Sequence, residues 1–528
     1  MSLADPPTGS SGPARNRLPV SESPAIGRSP TALLLFAVAL SLALGGCVST
    51  RGEYYEELGK ERARAYARWK RKDEDPERPI LEGRLELEGA VRIALQHNTG
   101  IKATIQEKER ARGRRVGAYS EVLPTVDLSA DYRRFDQIFT VDLGVDSFQI
   151  GDRDNFSYRA ELTQPLYKGG AIGAALRASR IFDYLSDERV RATVEGAIFE
   201  VASAYYDAVL ARRLIEVQEA ALRSARSHLE DVRSRHTHGL ATEFDVLRAR
   251  VDVSNAQADL IQQRNREDRA MTRLLRAMGA SQRSRVSPAS DLSYQDVRPE
   301  FAEAVGVAFR NRPDIYVAEL NRDLQAEAVT EAKSRYFPRL SAYYWHLWAK
   351  PDPQEASNIE WDDDWEAGLR LTWPIFDGLA REGNIIEQQA LLRQSEIELS
   401  DAQEKAIQQV RNALLELQNA RELVQTQELN LKRADRALEL VQVGYREGVN
   451  TEVEVLDART ALTRTRGLYY QALHRHVMAR LNLRRAQGIL GAGPGARAVP
   501  EEVPRPDRLP GDSADRQPEN GREPGTRN

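Results

Sequence analysis

The sequence predicts a mainly α-helical protein with a small β part, built from two copies of one helix–strand–strand–helix unit. Three observations lead to this prediction. Ala, Leu, Arg, Glu and Gln dominate long stretches of the 528 residues, as they do in extended helices and coiled coils. Residues 170–239 and 378–448 contain no proline, and an ordered set of motifs occurs twice. With 41% hydrophobic and only 7% aromatic residues, we expect long, thin cores rather than several globules.

The internal repeat is carried by short anchors that occur twice in the same order. Residues 94–101 (ALQHNTGI) align with residues 308–315 (AFRNRPDI) at an offset of 214. The other anchors pair 124–126 with 338–340, 162–169 with 371–378, 239–242 with 448–451, and 246–250 with 455–459. The last three pairs share an offset of 209. Several matches in one order indicate a duplicated structural unit.

Each repeat is predicted to contain two strands, at about 125–138 and 154–166 in the first copy and about 339–350 and 362–376 in the second. Val126, Leu128 and Ala130 alternate with polar residues, which is typical of a strand with one wet face. The second pair also holds aromatic residues of the kind that settles at membrane interfaces. These are Tyr343, Tyr344, Trp345, Trp348, Trp361, Trp365 and Trp373. A soluble hairpin with a Trp-rich core is the alternative.

A very long helix is predicted after each pair of strands. At 1.5 Å per residue, residues 378–448 would extend roughly 100 Å. Val410, Leu417 and Val424 begin an apolar repeat of seven residues that continues to Tyr445, which predicts left-handed supercoiling. Alanines on a neighbouring heptad track allow close helix approach on a second side. Glycines that follow the two long segments are expected to turn the chain between antiparallel helices.

The N-terminal segment has the order of a secretory signal peptide. Residues 32–44 form an apolar run after Arg28, too short to span a membrane comfortably. Residues 44–47 (LGGC) resemble the bacterial lipobox, in which the cysteine is acylated and becomes the mature N-terminus; Cys47 is the only cysteine in the chain. The resemblance implies a covalent lipid on Cys47, and Val48 favours delivery to the outer membrane. A signal peptide with an incidental cysteine is the alternative.

Residues 445–459 (YREGVNTEVEVLDAR) and 238–247 (HGLATEFDVL) resemble the two periplasmic tips of the TolC family of outer-membrane efflux proteins. The resemblance covers about residues 85–490 and implies a homotrimer. Each chain would give four strands to one shared 12-stranded outer-membrane β-barrel, continuous with a long periplasmic α-barrel. The residues themselves point the same way, because a membrane barrel needs about eight or more strands and lipid does not tolerate open sheet edges.

The resemblance implies a channel and its partners. Members conduct drugs, metals or secreted proteins from an inner-membrane pump, through a periplasmic adaptor, to the exterior. We therefore expect an outer-membrane channel of a tripartite efflux system that passes small toxic compounds, lies in outer-membrane lipid and extends into the periplasm. A conduit for type I protein secretion is the alternative within this class. A structural coiled-coil lipoprotein that does not conduct is the alternative from another class, although a tether needs no strands.

The resemblance also implies functional positions at the tips. In the family, acidic rings line the narrow periplasmic end. The matching positions are Glu454 and Asp457, one helical turn apart, with Asp245 as a related candidate on the first tip. Three-fold symmetry would give each position a ring of three carboxylates, which favours cations. A solvated acidic face is the alternative.

Further tip positions match those that meet the adaptor, and they are Gly239, Leu240, Gly448 and Val449. Plain turn chemistry is the alternative for these four residues. Asn450 stands where some members carry an arginine that helps to latch the tip, so the resemblance does not imply a salt-bridged gate.

The remaining sequence disfavours an enzyme, a metal site and a nucleic-acid partner. His-Glu-x-x-His, Gly-x-Ser-x-Gly and Gly-x-x-x-x-Gly-Lys motifs are absent, and one cysteine excludes a Cys-cluster metal site. The pairs His236/His238 and His474/His476 have a spacing of two, which points the rings apart on a helix. A role of the first pair in pH response or metal passage is a further hypothesis. A net charge of −4 without a basic block disfavours nucleic acid.

The predicted organisation has five parts. They are a signal peptide (1–46), a lipid-anchored linker (47–84) with a possible charged helix, a first repeat (85–285), a second repeat (286–490) and a disordered tail (491–528). The tail is rich in Pro, Gly, Asp and Arg, with few apolar residues to bury. No cofactor is expected apart from the lipid on Cys47.

Overall fold

The structure, a computed structural model, describes residues 51–70, 78–142, 147–352, 354–355 and 358–491. The chain divides into two units after residue 74. Helix α1 (Arg51–Lys70) is the described element of the first unit. The predicted signal peptide, Cys47 and residues 492–528 of the tail lie outside the described ranges.

The second unit contains the same succession of elements twice. The first copy comprises β1 (Glu82–Leu85), α2 (Leu87–His97), α3 (Thr99–Tyr119), β2 (Thr125–Arg134), β3 (Phe139–Asp142), β4 (Ser147–Ile150), β5 (Asp154–Lys168), α4 (Ala171–Thr237) and α5 (Glu243–Met278). The second comprises β6 (Arg285–Pro288), α6 (Phe301–Asn311), α7 (Pro313–Ser334), β7 (Arg339–Lys350), β8 (Asp362–Thr372), α8 (Ala380–Arg446) and α9 (Glu452–Ala486). The predicted fold class, mainly helical with two helix–strand–strand–helix copies, is confirmed.

Two helices of 67 residues each, α4 and α8, run the whole distance between the strands and the tips. In the half nearest the strands, the helices pack in the order α3, α4, α7, α8. In the half nearest the tips, the order is α5, α4, α9, α8. Each long helix is therefore accompanied by two shorter helices, one in each half. None of the helices in the described ranges combines the length and the apolar content that crossing a membrane requires.

The shorter helices meet end to end at two junctions that occupy equivalent positions in the repeats. At the first, Asn98 Oδ1 accepts from the N–H of Gly100 at 2.8 Å, while its Nδ2 donates to the carbonyl of Ala277 at 2.9 Å. One side chain thus caps the start of α3 and the end of α5, where backbone groups would otherwise lack partners.

At the second junction, Arg312 occupies the position that aligns with Asn98. Its Nη1 donates to the carbonyl of Ala486 at 3.0 Å, and its Nε donates to Asp314, in the first turn of α7, at 3.0 Å. The two repeats therefore connect equivalent helix ends through different side chains, a carboxamide in the first repeat and a guanidinium–carboxylate pair in the second.

Helix α2 and strands β1 and β6 form a small group of elements that packs beside the first junction. This group is contacted by Tyr205, a fully buried residue near the middle of α4. Its hydroxyl oxygen lies 2.9 Å from the carbonyl of Leu85 and accepts from the N–H of Ser290 at 3.0 Å. Strands β1 and β6 pair in parallel, with Leu85 opposite Pro288. The sequence does not predict these strands, because neither is long enough to show alternation. The predicted linker therefore includes residues 82–84, and the predicted boundary at 285/286 falls inside β6.

Burial along α8 changes from one half to the other. The first members of the predicted heptad track, Val410, Leu417 and Val424, are buried. Its last members, Leu438 and Tyr445, are only partly buried in the single chain. Val410 and Leu417 share one buried cluster with Ala413 and Ala420 of the second track, whereas Val424 belongs to the core that contains Tyr205.

The four long strands form one antiparallel sheet in the order β2-β5-β7-β8. Two strand ends differ from the prediction. The first strand ends at Arg134 rather than near 138, because residues 139–142 turn away to pair with 147–150 in a separate small hairpin. The fourth ends at Thr372 rather than near 376, since Pro374 follows and cannot donate to a ladder.

We expect Gly279→Ala to destabilise the fold more than Gly239→Ala does. Both glycines have positive φ, 73° and 74°, so alanine costs each about 1–2 kcal/mol. At Gly279 the new Cβ would also lie 2.3 Å from the carbonyl oxygen of His97, whereas at Gly239 it meets nothing within 4 Å. Chemical denaturation followed by circular dichroism measures both losses. Equal losses would show that the close approach at the junction carries no cost.

Candidate functional site

The four-stranded sheet has one apolar and one polar face. Register places Val126 opposite Leu162, Leu162 opposite Tyr344, and Tyr344 opposite Ala367. This face is open in the single chain, with Val126 72% and Leu369 68% exposed. The other face carries charged residues: Asp127 lies opposite Glu161, and Glu366 lies opposite Trp345.

Both outer edges of this sheet are open. In the described part of the chain, β2 pairs only with β5 and β8 pairs only with β7. An open edge beside an exposed apolar face is a template for pairing with another chain. Both features therefore indicate that the sheet is incomplete in one chain.

Aromatic side chains lie at both ends of the apolar face. At one end, Tyr158 stacks on Trp361 with ring centroids 5.6 Å apart. At the other end, the indole N–H of Trp373 donates to the carbonyl of Tyr336 at 3.0 Å, near the exposed Phe376. Two aromatic bands that flank an apolar band are typical of membrane-embedded sheets.

Two of the aromatic residues predicted for a membrane interface lie elsewhere. Tyr343 and Trp345 lie on the polar face, because side chains alternate along β7. The guanidinium of Arg159 lies 4.4 Å from the centroid of the Trp345 ring, and that of Arg370 lies 4.6 Å from the Tyr343 ring. These rings therefore pack with cations rather than with the apolar band.

At the opposite end of the long helices, both tips are built by the same backbone chemistry. The N–H of Leu240 donates to the carbonyl of Arg235, and that of Val449 donates to the carbonyl of Gly444, each at 2.8 Å. These bonds close a helix end in the Schellman manner. Gly239 and Gly448, which precede the donors, adopt φ of 74° and 79°, a left-handed conformation that suits glycine. Leu240 and Val449 are left 76% and 80% exposed.

The helix that leaves each tip begins with a capping box. In the second tip, Glu454 Oε2 accepts from the N–H and the hydroxyl of Thr451, at 2.7 and 3.0 Å. In the first tip, Asp245 Oδ2 accepts from the N–H and the hydroxyl of Thr242, at 2.8 and 2.7 Å. These hydrogen bonds lower the pKa of both carboxyls, so both stay ionised. The Thr-x-x-Glu and Thr-x-x-Asp signatures were readable in the sequence.

The three carboxylates proposed from the family resemblance are not equivalent. Asp457 is exposed, and it has no hydrogen bond or ion pair with any described residue. Glu454 is exposed, but its Oε2 belongs to the capping box and also accepts a hydrogen bond from Asn450 Nδ2 at 3.2 Å. Asp245 instead faces the second tip, where it interacts with the carboxyl of Glu452.

The two histidines of the first tip contact backbone carbonyls of the same tip. His236 Nδ1 lies 2.9 Å from the carbonyl oxygen of Ala241, and His238 Nδ1 lies 2.7 Å from that of Ser234. Within the described ranges, no group of three or more potential metal ligands occurs.

The sequence does not predict a buried contact that joins the two tips. His228 Nε2 lies 3.4 Å from Glu452 Oε1, and the guanidinium of Arg235 lies 4.4 Å from the ring centroid of Tyr445. These contacts join α4 of the first tip to α8 and α9 of the second. No local signal marks such a contact, because 224 residues separate His228 from Glu452.

A sheet with an exposed apolar face lies at one end of the long helices, and a pair of exposed tips lies at the other, which is an arrangement suited to a membrane conduit. The outer membrane efflux protein family matches residues 90–280 and 304–489, so the chain belongs to this family. It is an outer-membrane efflux channel that extends into the periplasm, and it is not an enzyme.

Relatives support the same assignment. The chain is 24% identical over 409 residues to the alkaline protease secretion protein AprF of Pseudomonas aeruginosa, covering 75% of this chain and 83% of AprF. It is 22% identical over 408 residues to the outer membrane protein TolC of Escherichia coli, covering 74% of this chain and 80% of TolC. The crystal structure of a membrane protein from Pseudomonas aeruginosa shares the fold, with a TM-score of 0.66, 22% identity and coverage of 76% and 90% of the two chains.

Proposed function

We propose that three copies of this chain form one conduit that passes small toxic compounds across the outer membrane. The observation that carries this proposal is the four-stranded sheet, which has an exposed apolar face and two open edges. In lipid, both edges must be paired. Three copies would supply twelve strands, enough to close a membrane barrel, and would continue into a ring of long helices.

The tips are proposed to meet a periplasmic adaptor that connects the conduit to an inner-membrane pump. Leu240 and Val449 support this proposal because both are exposed apolar side chains on hydrogen-bonded turns. Single exposed apolar residues are common. Two of them at equivalent positions of a duplicated tip are better suited to a paired contact with one partner.

Glu454 and Asp457 are proposed to form acidic rings at the narrow end of the trimer. Both side chains are exposed, and neither pairs with a cation in the described chain. Asp245 is less suited to this role because it is engaged with Glu452. Rings of carboxylates favour the entry of cations.

Secretion of a protein substrate is the second candidate function. The similarity to AprF, whose printed name refers to protease secretion, favours it. The two functions make different demands, because a secretion conduit would leave drug susceptibility unchanged and would alter the set of secreted proteins.

We expect loss of the gene to increase susceptibility to small toxic compounds, and the wild-type gene to restore resistance. The variant Leu240→Asp/Val449→Asp should fail to restore it, because charges at the tips oppose an apolar contact. The matched control, Leu240→Met/Val449→Ile, keeps both side chains apolar and should restore resistance. Minimum inhibitory concentrations measure the effect, with trimer levels checked on gels. A charged variant that confers full resistance would refute the adaptor contact.

We expect Asp457→Asn to reduce the preference of the channel for cations. The permeability ratio of K⁺ to Cl⁻ should fall by about two- to fivefold, since a unit charge across water at a few ångströms contributes up to about 1 kcal/mol. Reversal potentials in planar bilayers measure it. Asp401→Asn removes a carboxylate that pairs with Lys405 on α8 and serves as the control. An unchanged ratio in Asp457→Asn would remove this residue from the constriction.

Cys47 is proposed to carry a lipid that anchors the chain in the outer membrane. Each buried methylene of an acyl chain contributes about 0.8 kcal/mol to membrane binding. We expect cells fed labelled palmitate to label the wild-type protein and not Cys47→Ser. Label on the serine variant would show that the lipid is attached to another residue.

A further inference from the structure

The carboxyl of Glu452 occupies a confined position between the two tips. Glu452 is the first residue of α9, and its side chain is only 11% exposed. Its Oε1 lies 3.4 Å from Nε2 of His228, whose side chain is 2% exposed. Within the described chain neither atom makes a well-formed hydrogen bond. A charge at this position would therefore be poorly solvated.

Asp245 of the first tip interacts with the carboxyl of Glu452. Its own capping hydrogen bonds favour the ionised form. Two adjacent carboxyls cannot both ionise without mutual repulsion. Asp245 therefore takes the negative charge, and a proton on Glu452 allows the two carboxyls to share a hydrogen bond across the tips.

Nearby cations compensate only in part. Arg459 of α9 is half-buried, and its Nε and Nη1 have no hydrogen-bond partner in the described ranges. Arg235 packs over the Tyr445 ring. The charged and titratable groups around Glu452 and its partners are His228, Asp231 and Arg235 from α4, Asp245, Arg248 and Asp252 from α5, Tyr445 from α8, and Arg459 from α9.

The resulting protonation pattern follows from this environment. Burial, and then the charge of Asp245, raise the pKa of Glu452 to about 7. Burial, and then Arg459, lower the pKa of His228 to about 4. Between these values the imidazole is neutral and the carboxyl is protonated. The contact at 3.4 Å is therefore not an ion pair, although the distance alone would allow one.

We propose that the protonated Glu452 carboxyl ties the second tip to the first, and that loss of its proton loosens the tie and allows the tips to separate. This inference rests on the proposed conduit, in which separated tips widen the periplasmic end. Ionised Glu452 would lie beside ionised Asp245, and water would solvate both carboxylates once the tips part.

The sign of the pH dependence follows from the raised pKa. The joined tips bind the proton more tightly than separated tips, where the carboxyl titrates near its usual 4.5. The tie is at full strength below about pH 4.5 and is lost as the pH rises through about 7. Within that window the ratio of joined to separated tips should fall by up to about tenfold per pH unit, as expected for one proton.

Hydrogen exchange of the full-length protein tests this proposal without requiring conduction. After correction for intrinsic exchange, we expect the wild-type tips, residues 228–250 and 443–460, to lose amide protection between pH 5 and pH 8. Glu452→Gln keeps the shape of the side chain and cannot ionise, so its tips should stay protected at pH 8. Glu243→Gln is the matched control, because Glu243 occupies the equivalent first position of α5 but is exposed.

A second variant tests the proposal even if the glutamine side chain of Glu452→Gln does not hold the two tips together. Asp245→Asn removes the repelling charge, so the midpoint of the transition should move to lower pH. Wild-type pH dependence in both Glu452→Gln and Asp245→Asn would overturn the proposal.

Conductance in planar bilayers separates this proposal from the proposed function. A channel that conducts while tip protection shows no pH dependence overturns the tie and leaves the conduit intact. If tip protection depends on pH as described but the protein forms no channel, the contact through Glu452 is supported and the proposed conduit is rejected.

Discussion

The end-to-end contact of the shorter helices is the interaction on which the rest of the chain depends. Asn98 and Arg312 each donate to the last carbonyls of a helix that arrives from the tips, and each lies at the start of a helix that continues toward the sheet. These contacts keep α3 in line with α5, and α7 in line with α9. Since α4 and α8 pass both junctions without a break, a shift at either junction would move the tips relative to the strands.

The duplicated tips share their backbone and differ in their side chains. Both use a Schellman end and a capping box, so both turns have the same hydrogen-bond pattern. The first position of the departing helix differs, because Glu243 is exposed and Glu452 lies against His228. The two copies thus share the turn, and the second copy alone places a buried carboxyl at this position in the contact between the tips.

Periodicity and internal similarity predicted most of this fold. The long helices, the four main strands and the tip turns were visible because each has a local pattern: absent proline, alternation, or glycine after a heptad run. Features that depend on distant partners were not visible. For example, β1 and β6 are four-residue strands defined by pairing alone. The contact between His228 and Glu452 likewise exists only in three dimensions.

The equal lengths of α4 and α8 restrict how proteins with this architecture can change in size. A residue inserted into one long helix rotates everything beyond it by about 100° and would separate apolar seams that now face each other. Insertions in units of seven residues, matched at the same level in both long helices and in α5 and α9, leave the seams aligned. The distance from sheet to tip can therefore evolve only in coordinated steps of about 10 Å, with both repeats altered together.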